Sequence, residues 1–275
     1  MFDRVVVVDW SASSRPTRGR DSIWIGVADG SSDTVLVSNP STRAEAIAQM
    51  GEWCRRPGST LLGVDFSLGY PSGTTESLGL SGVPWSAMWD LLAQLIDDRD
   101  DNANNRFEVA AELNRRVGPG PGPFWGCPPS RRSATLTSTK VAPTPLDEWR
   151  RVEYRLRDSG HRPFSGWQLL GAGSVGSQSL LGIPRTDTLL RSLVSDGRSV
   201  AVWPFSGSIE RDAVPDVVIA EVWPSLHRLP PLDGRVRDEV QVASVARRLV
   251  HTTAADLVAP ACDAVVAEEG WVLGA

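Results

Sequence analysis

The chain has 275 residues, 41% hydrophobic and 22% charged, a balance that suits a globular protein and excludes a fibrous or disordered one. Its net charge of −5 weighs against non-specific coating of nucleic acid, which needs a basic face. The apolar runs fall far short of a bilayer span and the opening residues carry no signal-peptide pattern, so no membrane partner and a cytoplasmic setting are expected.

In chain order, residues 4–10 (RVVVVDW) read as a buried strand, because strands covered on both faces appear as near-continuous Val/Ile/Leu runs. SIWIGVAD (22–29) and DTVLVS (33–38) flank a Gly-Ser-Ser turn, a hairpin pattern. STRAEAIAQMGEWC predicts a helix capped by Ser41 or Thr42, and Pro57 and Gly58 stop the chain before the next strand, TLLGVDFS (60–67). Residues 84–117 predict two helical pieces. The acidic link between them, DDRDDNANN (97–105), lacks the glycine and closing glutamate of a calcium loop and reads as solvated. A helix with both signs of charge is predicted near 145–158, laid on the surface, followed by a strand at WQLL (167–170). Then come a helix over RTDTLLRSLVSD, the strands SVAVWPF (199–205) and VVIAEVWP (217–224), helices near 237–250 and 253–267, and a short strand in EEGWVLG. The expected fold class is α/β with a mixed sheet. The expected single domain, 1–275, has a core of 1–75 and 195–275 and a helical and loop insertion over 76–194.

The three cysteines, Cys54, Cys127 and Cys262, lie too far apart for a zinc knuckle or a disulfide framework. Chemistry is instead expected from carboxylates. Asp9 and Asp65 each end an apolar strand, the rim where α/β proteins place ligands. Glu221 ends a third strand and Asp238 opens a helix. Such acids could converge on Mg²⁺ or Mn²⁺, hard cations that take oxygen ligands, with Asp9, Asp65 and Asp238 as the metal set. Two ions about 4 Å apart would activate water and stabilise a leaving oxygen. The structural alternatives are that Asp238 caps its helix and that Glu221 pairs with an arginine.

Substrate contacts are expected from several places. From Leu113 to Leu146 there is no carboxylate, yet Arg115, Arg116, Arg131, Arg132 and Lys140 fall in that stretch. Arg131 and Arg132 are therefore candidates to neutralise an anionic substrate. Trp125, with Phe124 beside it, could stack a base or pin the loop to the body. Ser11 and Ser13, following Asp9, could hold phosphate, and His227 is a candidate general base or substrate contact. GAGSVG (171–176) fits a dinucleotide-binding pattern, but SVAVWPF ends without the required acid and Gly182 and Pro184 are expected to cut any following helix short. The same residues argue against a nucleophile elbow and leave a tight turn that donates N–H groups to an anion.

The order of elements and acids resembles the ribonuclease-H-like superfamily, including its resolvase branch. More narrowly, VDWSAS, VDFSLGYP, GPFWGCP, GAGSVGSQSLLGIP, AEVWPSL, RDEVQV and EEGWVLG together resemble a bacterial family labelled as predicted nucleases. The resemblance implies a three-stranded antiparallel unit, a central helix and parallel strands carrying acids. It also implies a glutamate in the first helix, which Glu45 or Glu52 could supply; if both face outward, Asp9, Asp65 and Asp238 form the better set. The function expected is metal-dependent phosphoryl transfer or phosphodiester hydrolysis on a phosphate-containing small molecule or short nucleic acid. The alternatives are a non-catalytic ribonuclease-H-like protein that binds a ligand or partner, and a phosphotransferase like the actin and sugar-kinase families.

Overall fold

The computed structural model describes residues 2–30, 32, 34–141, 143–144 and 146–275. The strands are β1 (Arg4–Asp9), β2 (Trp24–Asp29), β3 (Val35–Ser38), β4 (Thr60–Val64), β5 (Val200–Trp203) and β6 (Val217–Glu221). The α-helices are α1 (Arg43–Arg55), α2 (Thr74–Ser77), α3 (Pro84–Leu95), α4 (Arg106–Val117), α5 (Arg151–Asp158), α6 (Val175–Ser195) and α7 (Arg237–Leu249). The described strands form one mixed sheet in the order β3-β2-β1-β4-β6-β5. β1, β2 and β3 pair antiparallel, whereas β4, β6 and β5 run parallel to β1.

Both faces of the sheet are covered, which is why its strands read as unbroken apolar runs. Val6, Val8, Leu62, Val64 and Ile219 point into a large core shared with α1, α3, α4 and α6. Val5, Val7, Leu61, Val218 and Ala220 point the other way, into a core shared with α7 and the C-terminal segment. Gly26 lets α7 come close to β2: a Cβ there would stand 2.7 Å from the Val242 backbone. α1 starts at the expected cap, with the Glu45 amide donating to Thr42 Oγ1 at 3.1 Å.

Four local expectations are corrected. α6 runs unbroken through Gly182 and Pro184 for 21 residues. An internal proline costs about 3 kcal/mol, but Leu180, Ile183 and Leu189 are buried, and each such side chain returns about 1.5–3 kcal/mol. Gly182 is where the helix meets the ring of Phe66, 2.4 Å from an added Cβ. The acidic link is not simply solvated, because Asp98 is buried between Arg43 (2.5 Å) and Arg185 (2.8 Å). Nor is α5 merely laid on the surface: it begins at Arg151 and buries Val152, Glu153 and Leu156. The expected second C-terminal helix is replaced by a 3₁₀ turn, Ala254–Leu257, and a π turn, Val265–Glu269. Pro260 lies between them and cannot continue a helix.

WQLL and EEGWVLG contribute isolated bridges, Trp125 to Gln168 and Glu221 to Val272, rather than strands. Ser31 of the expected turn, Asp33 at the start of its second strand and Pro145 at the start of the fifth helix lie outside the described residues.

Candidate active site

β1 and β4 are adjacent and parallel, with Val8 opposite Val64. One step further along, Asp9 and Asp65 therefore reach the same rim side by side. The Asp65 amide donates to Val8 O at 3.2 Å, extending the ladder, and Asp65 Oδ1 accepts the Trp10 amide at 2.7 Å. The two carboxyl groups lie close enough for each to shift the other's titration. Burial pushes Asp9 well above the usual carboxylate range, and the neighbouring Asp65 charge, its hydrogen bond and the charges of Asp238 and Asp21 push the same way. Asp65 is pushed up to about 6, chiefly by burial, while its hydrogen bonds from Asp9 and the Trp10 amide hold it down. Two desolvated carboxyls so close cannot both ionise cheaply, so each opposes the loss of the other's proton.

Glu221 does not join this pair. Val64 is opposite Glu221 as well as Val8, so the pleat assigns Glu221 to the face of Val8 and Val64, and Asp9 and Asp65 to the other. There Arg150 grips Glu221 through both oxygens at 2.7 Å and Glu153 at 2.5 Å. Desolvation raises Glu221, offset by the Arg150 charge. A carboxylate closed into such a buried pair is not available as a metal ligand, which corrects that expectation.

Asp238, in the first turn of α7, adds its negative field to both members of the pair. Its Oδ2 accepts the Asp21 amide at 3.0 Å. Among the described residues no group of three His, Cys, Asp or Glu side chains is placed to hold a metal ion. The expected set of Asp9, Asp65 and Asp238 is therefore not assembled, and the structure brings two carboxyls together. Glu45 and Glu52 are exposed, and Glu45 is spent on the Ser41 amide (2.8 Å), so α1 adds no acid.

A cleft of about 620 Å³ opens on the Asp9 side of the pair, lined by Asp9, Ser11, Ser13, Asp21, Arg106, Gln178, Asp238 and residues 171–174, while Asp65 lines an adjoining pocket of about 190 Å³ with Ser67, Gln178 and the paired Glu221. Ser11 and Ser13 thus lie where expected, but their hydroxyls are engaged in their own loop, with Asp21 O (3.2 Å) and Arg15 O (2.8 Å). Gln178 ties the start of α6 to β1 through Trp10 O at 2.6 Å. Arg131, Arg132, Trp125 and His227 are not part of this cleft. Arg131 is exposed and ion-paired with Glu108, and Arg132 is exposed. Trp125 packs against the core while Phe124 is fully buried, so this aromatic pair pins the loop. His227 lines a separate depression with Arg248 and Asp256, and burial and Arg248 lower its pKa.

The cationic side chain of the cleft is Arg106, which sequence reasoning missed. One signal was available: an arginine at the first position of a helix opposes the helix dipole and is a costly place for a cation without another purpose. Several motifs that looked functional are structural. Glu268 accepts the amides of Gly73 (2.8 Å) and Thr75 (2.7 Å), and Glu269 accepts that of Arg151 (2.6 Å). These bonds staple EEG to the loop after VDFSLGYP and to α5. Compared with known proteins, the chain matches no family model, no curated protein and no solved structure.

Proposed function

We propose that this protein is a divalent-cation-dependent enzyme of phosphoryl transfer or phosphodiester hydrolysis, built on a ribonuclease-H-like sheet. The observation that carries the reading is the pair of half-buried, mutually interacting carboxyls, Asp9 and Asp65, side by side at one sheet rim, with Asp9 lining an open cleft and Asp65 the pocket beside it. Support for the fold comes from the strand order, with an antiparallel three-strand unit on one side, parallel strands on the other and acids at the ends of β1 and β4.

Asp9 and Asp65 would hold the cation, in Mg²⁺ or Mn²⁺ form, and Asp238 and Asp21 would deepen the negative potential around it. The cation, when bound, supplies Lewis-acid stabilisation of a phosphoryl oxygen and lowers the pKa of bound water. The chain's own part is to keep both carboxylates desolvated and fixed. The Trp10 amide holds Asp65, and the contact between the acids stores a charge conflict that a cation relieves and a proton relieves less well.

Calorimetric titration with Mn²⁺ is expected to give saturable binding that disappears in the double variant Asp9→Asn plus Asp65→Asn. Cleavage of a chromogenic phosphodiester or a short oligonucleotide in Mn²⁺ should vanish with it. No Mn²⁺ binding by the parent protein would refute the proposal and leave a non-catalytic ligand-binding protein.

A further inference from the structure

The cleft holds a cation with nothing of opposite charge attached to it. Arg106 is 8% exposed. Its Nε donates to Ser177 Oγ at 2.9 Å, and its Nη1 to Ser14 Oγ (2.9 Å) and Asn104 Oδ1 (2.7 Å), all neutral acceptors. The acids that act on it through space, Asp98 and Glu108, are already paired, with Arg43 and Arg185 and with Arg131. Among the described residues no protein acceptor meets Nη2. A buried guanidinium usually takes a carboxylate, because stranding its charge is costly. Here three neutral oxygens orient it and leave Nη2 over.

On another wall of the same cleft lies the turn that leads into α6. Among the described residues the backbone N–H groups of 171–174 have no protein acceptor, although those of Gly176 (to Gln168 O, 3.0 Å) and Ser177 (to Ser174 O, 3.1 Å) do. Gln168 Nε2 fixes the turn from behind by donating to Leu170 O and Ala172 O, each at 3.1 Å. Gly173 has φ +68° and packs so closely on Phe164 that a Cβ would lie 2.1 Å from the ring. The turn is therefore held in shape, at the positive end of a 21-residue helix.

We propose that Arg106 and the free N–H groups of residues 171–174 form a receptor for a phosphoryl oxyanion, the part of the substrate presented to Asp9 and Asp65. Donors from two sides match the several acceptor oxygens of a tetrahedral dianion, and the two N–H groups of Arg106 Nη2 give charge-assisted bonds to them. The cleft accommodates a molecule of nucleotide size. The substrate class is thus a phosphate ester of that size. This inference rests on the phosphoryl-transfer reading for what happens next, but not for the anion binding itself.

The test is calorimetric titration of the full chain with inorganic phosphate in EDTA, where no divalent cation contributes. Saturable binding is expected, weakened at least tenfold in Arg106→Gln and also weakened in Ala172→Pro, which removes one exposed N–H. Circular dichroism establishes that each variant is folded, and Ala172→Pro keeps the test decisive should Arg106→Gln fail to fold. In Asp65→Asn, which lowers the nearby negative charge, phosphate should bind as tightly or tighter. A nucleoside 5′-monophosphate should compete with phosphate for the same site. The receptor is refuted if the parent shows no binding below about 10 mM phosphate, or if folded variants at both positions bind as the parent does. Phosphate binding without any Mn²⁺ binding would keep the receptor and remove the enzyme proposal. Mn²⁺ binding and hydrolysis that ignore Arg106 would do the reverse.

Discussion

Replacing Asp65 with asparagine should stabilise the cation-free protein, an unusual outcome for a half-buried, hydrogen-bonded polar position. A carboxyl whose pKa is raised on folding binds its proton more tightly in the folded state than in the unfolded one. Its contribution is fully present below the unfolded value of 3.8 and is lost as pH rises through the folded value of about 6. Raising Asp65 from 3.8 to about 6 corresponds to a cost of about 3 kcal/mol once it is ionised, at roughly 1.36 kcal/mol per pH unit. Asparagine keeps the Oδ1 that accepts the Trp10 amide and places an N–H₂ donor toward Asp9, so it removes the charge with little loss of contact. Thermal unfolding in EDTA should therefore show no gain for Asp65→Asn near pH 4. The gain should open across pH 4–6 and level off above it at roughly 5–10 °C for a chain of this size. Saturating Mn²⁺ should raise the parent's midpoint and leave the variant's nearly unchanged, reversing the order. A variant less stable than the parent at pH 7.5 in EDTA, or a difference independent of pH, would refute the charge-conflict reasoning and make Asp65 a structural residue.

Glu221→Ala leaves Arg150 and Glu153 buried without their third member and should cost about 3–5 kcal/mol in urea unfolding, while Mn²⁺ affinity of the remaining folded protein stays within twofold. A large loss of affinity would return Glu221 to the site. Gly182→Ala drives a methyl into the Phe66 ring and should destabilise by about 1–3 kcal/mol. A neutral result by denaturant titration would mean that α6 shifts freely against β4. The exposed pair Arg131→Ala and Arg132→Ala should change stability by less than about 0.5 kcal/mol. Phosphate affinity should also be unaltered, in contrast to Arg106→Gln, and a tenfold loss in the arginine pair would restore the basic loop as the substrate contact.

The sequence by itself determined the sheet strands and most of the helices. Apolar runs such as RVVVVD and VVIAE have no other stable use than a strand covered on both faces, and the cap at Thr42 and the stop at Pro57 are local chemistry. It also marked Asp9 and Asp65, because a carboxylate directly after such a run must emerge at the rim. Register decided the rest. Glu221 ends its strand as plainly as Asp9 does, yet Val64 pairs with both Val8 and Glu221, and that one-residue offset turns Glu221 to the opposite face and into Arg150. α6 outlasts Gly182 and Pro184 because burial against Phe66 outweighs local propensity, a balance that no window of sequence contains. Likewise, Arg106 became the cleft's cation and Arg131 did not, because Arg131 meets Glu108, 23 residues away, whereas Arg106 meets the neutral Ser177 and Ser14, 71 and 92 residues away. Strand identity is written in neighbouring residues; the partner of a charge is fixed only when distant segments meet.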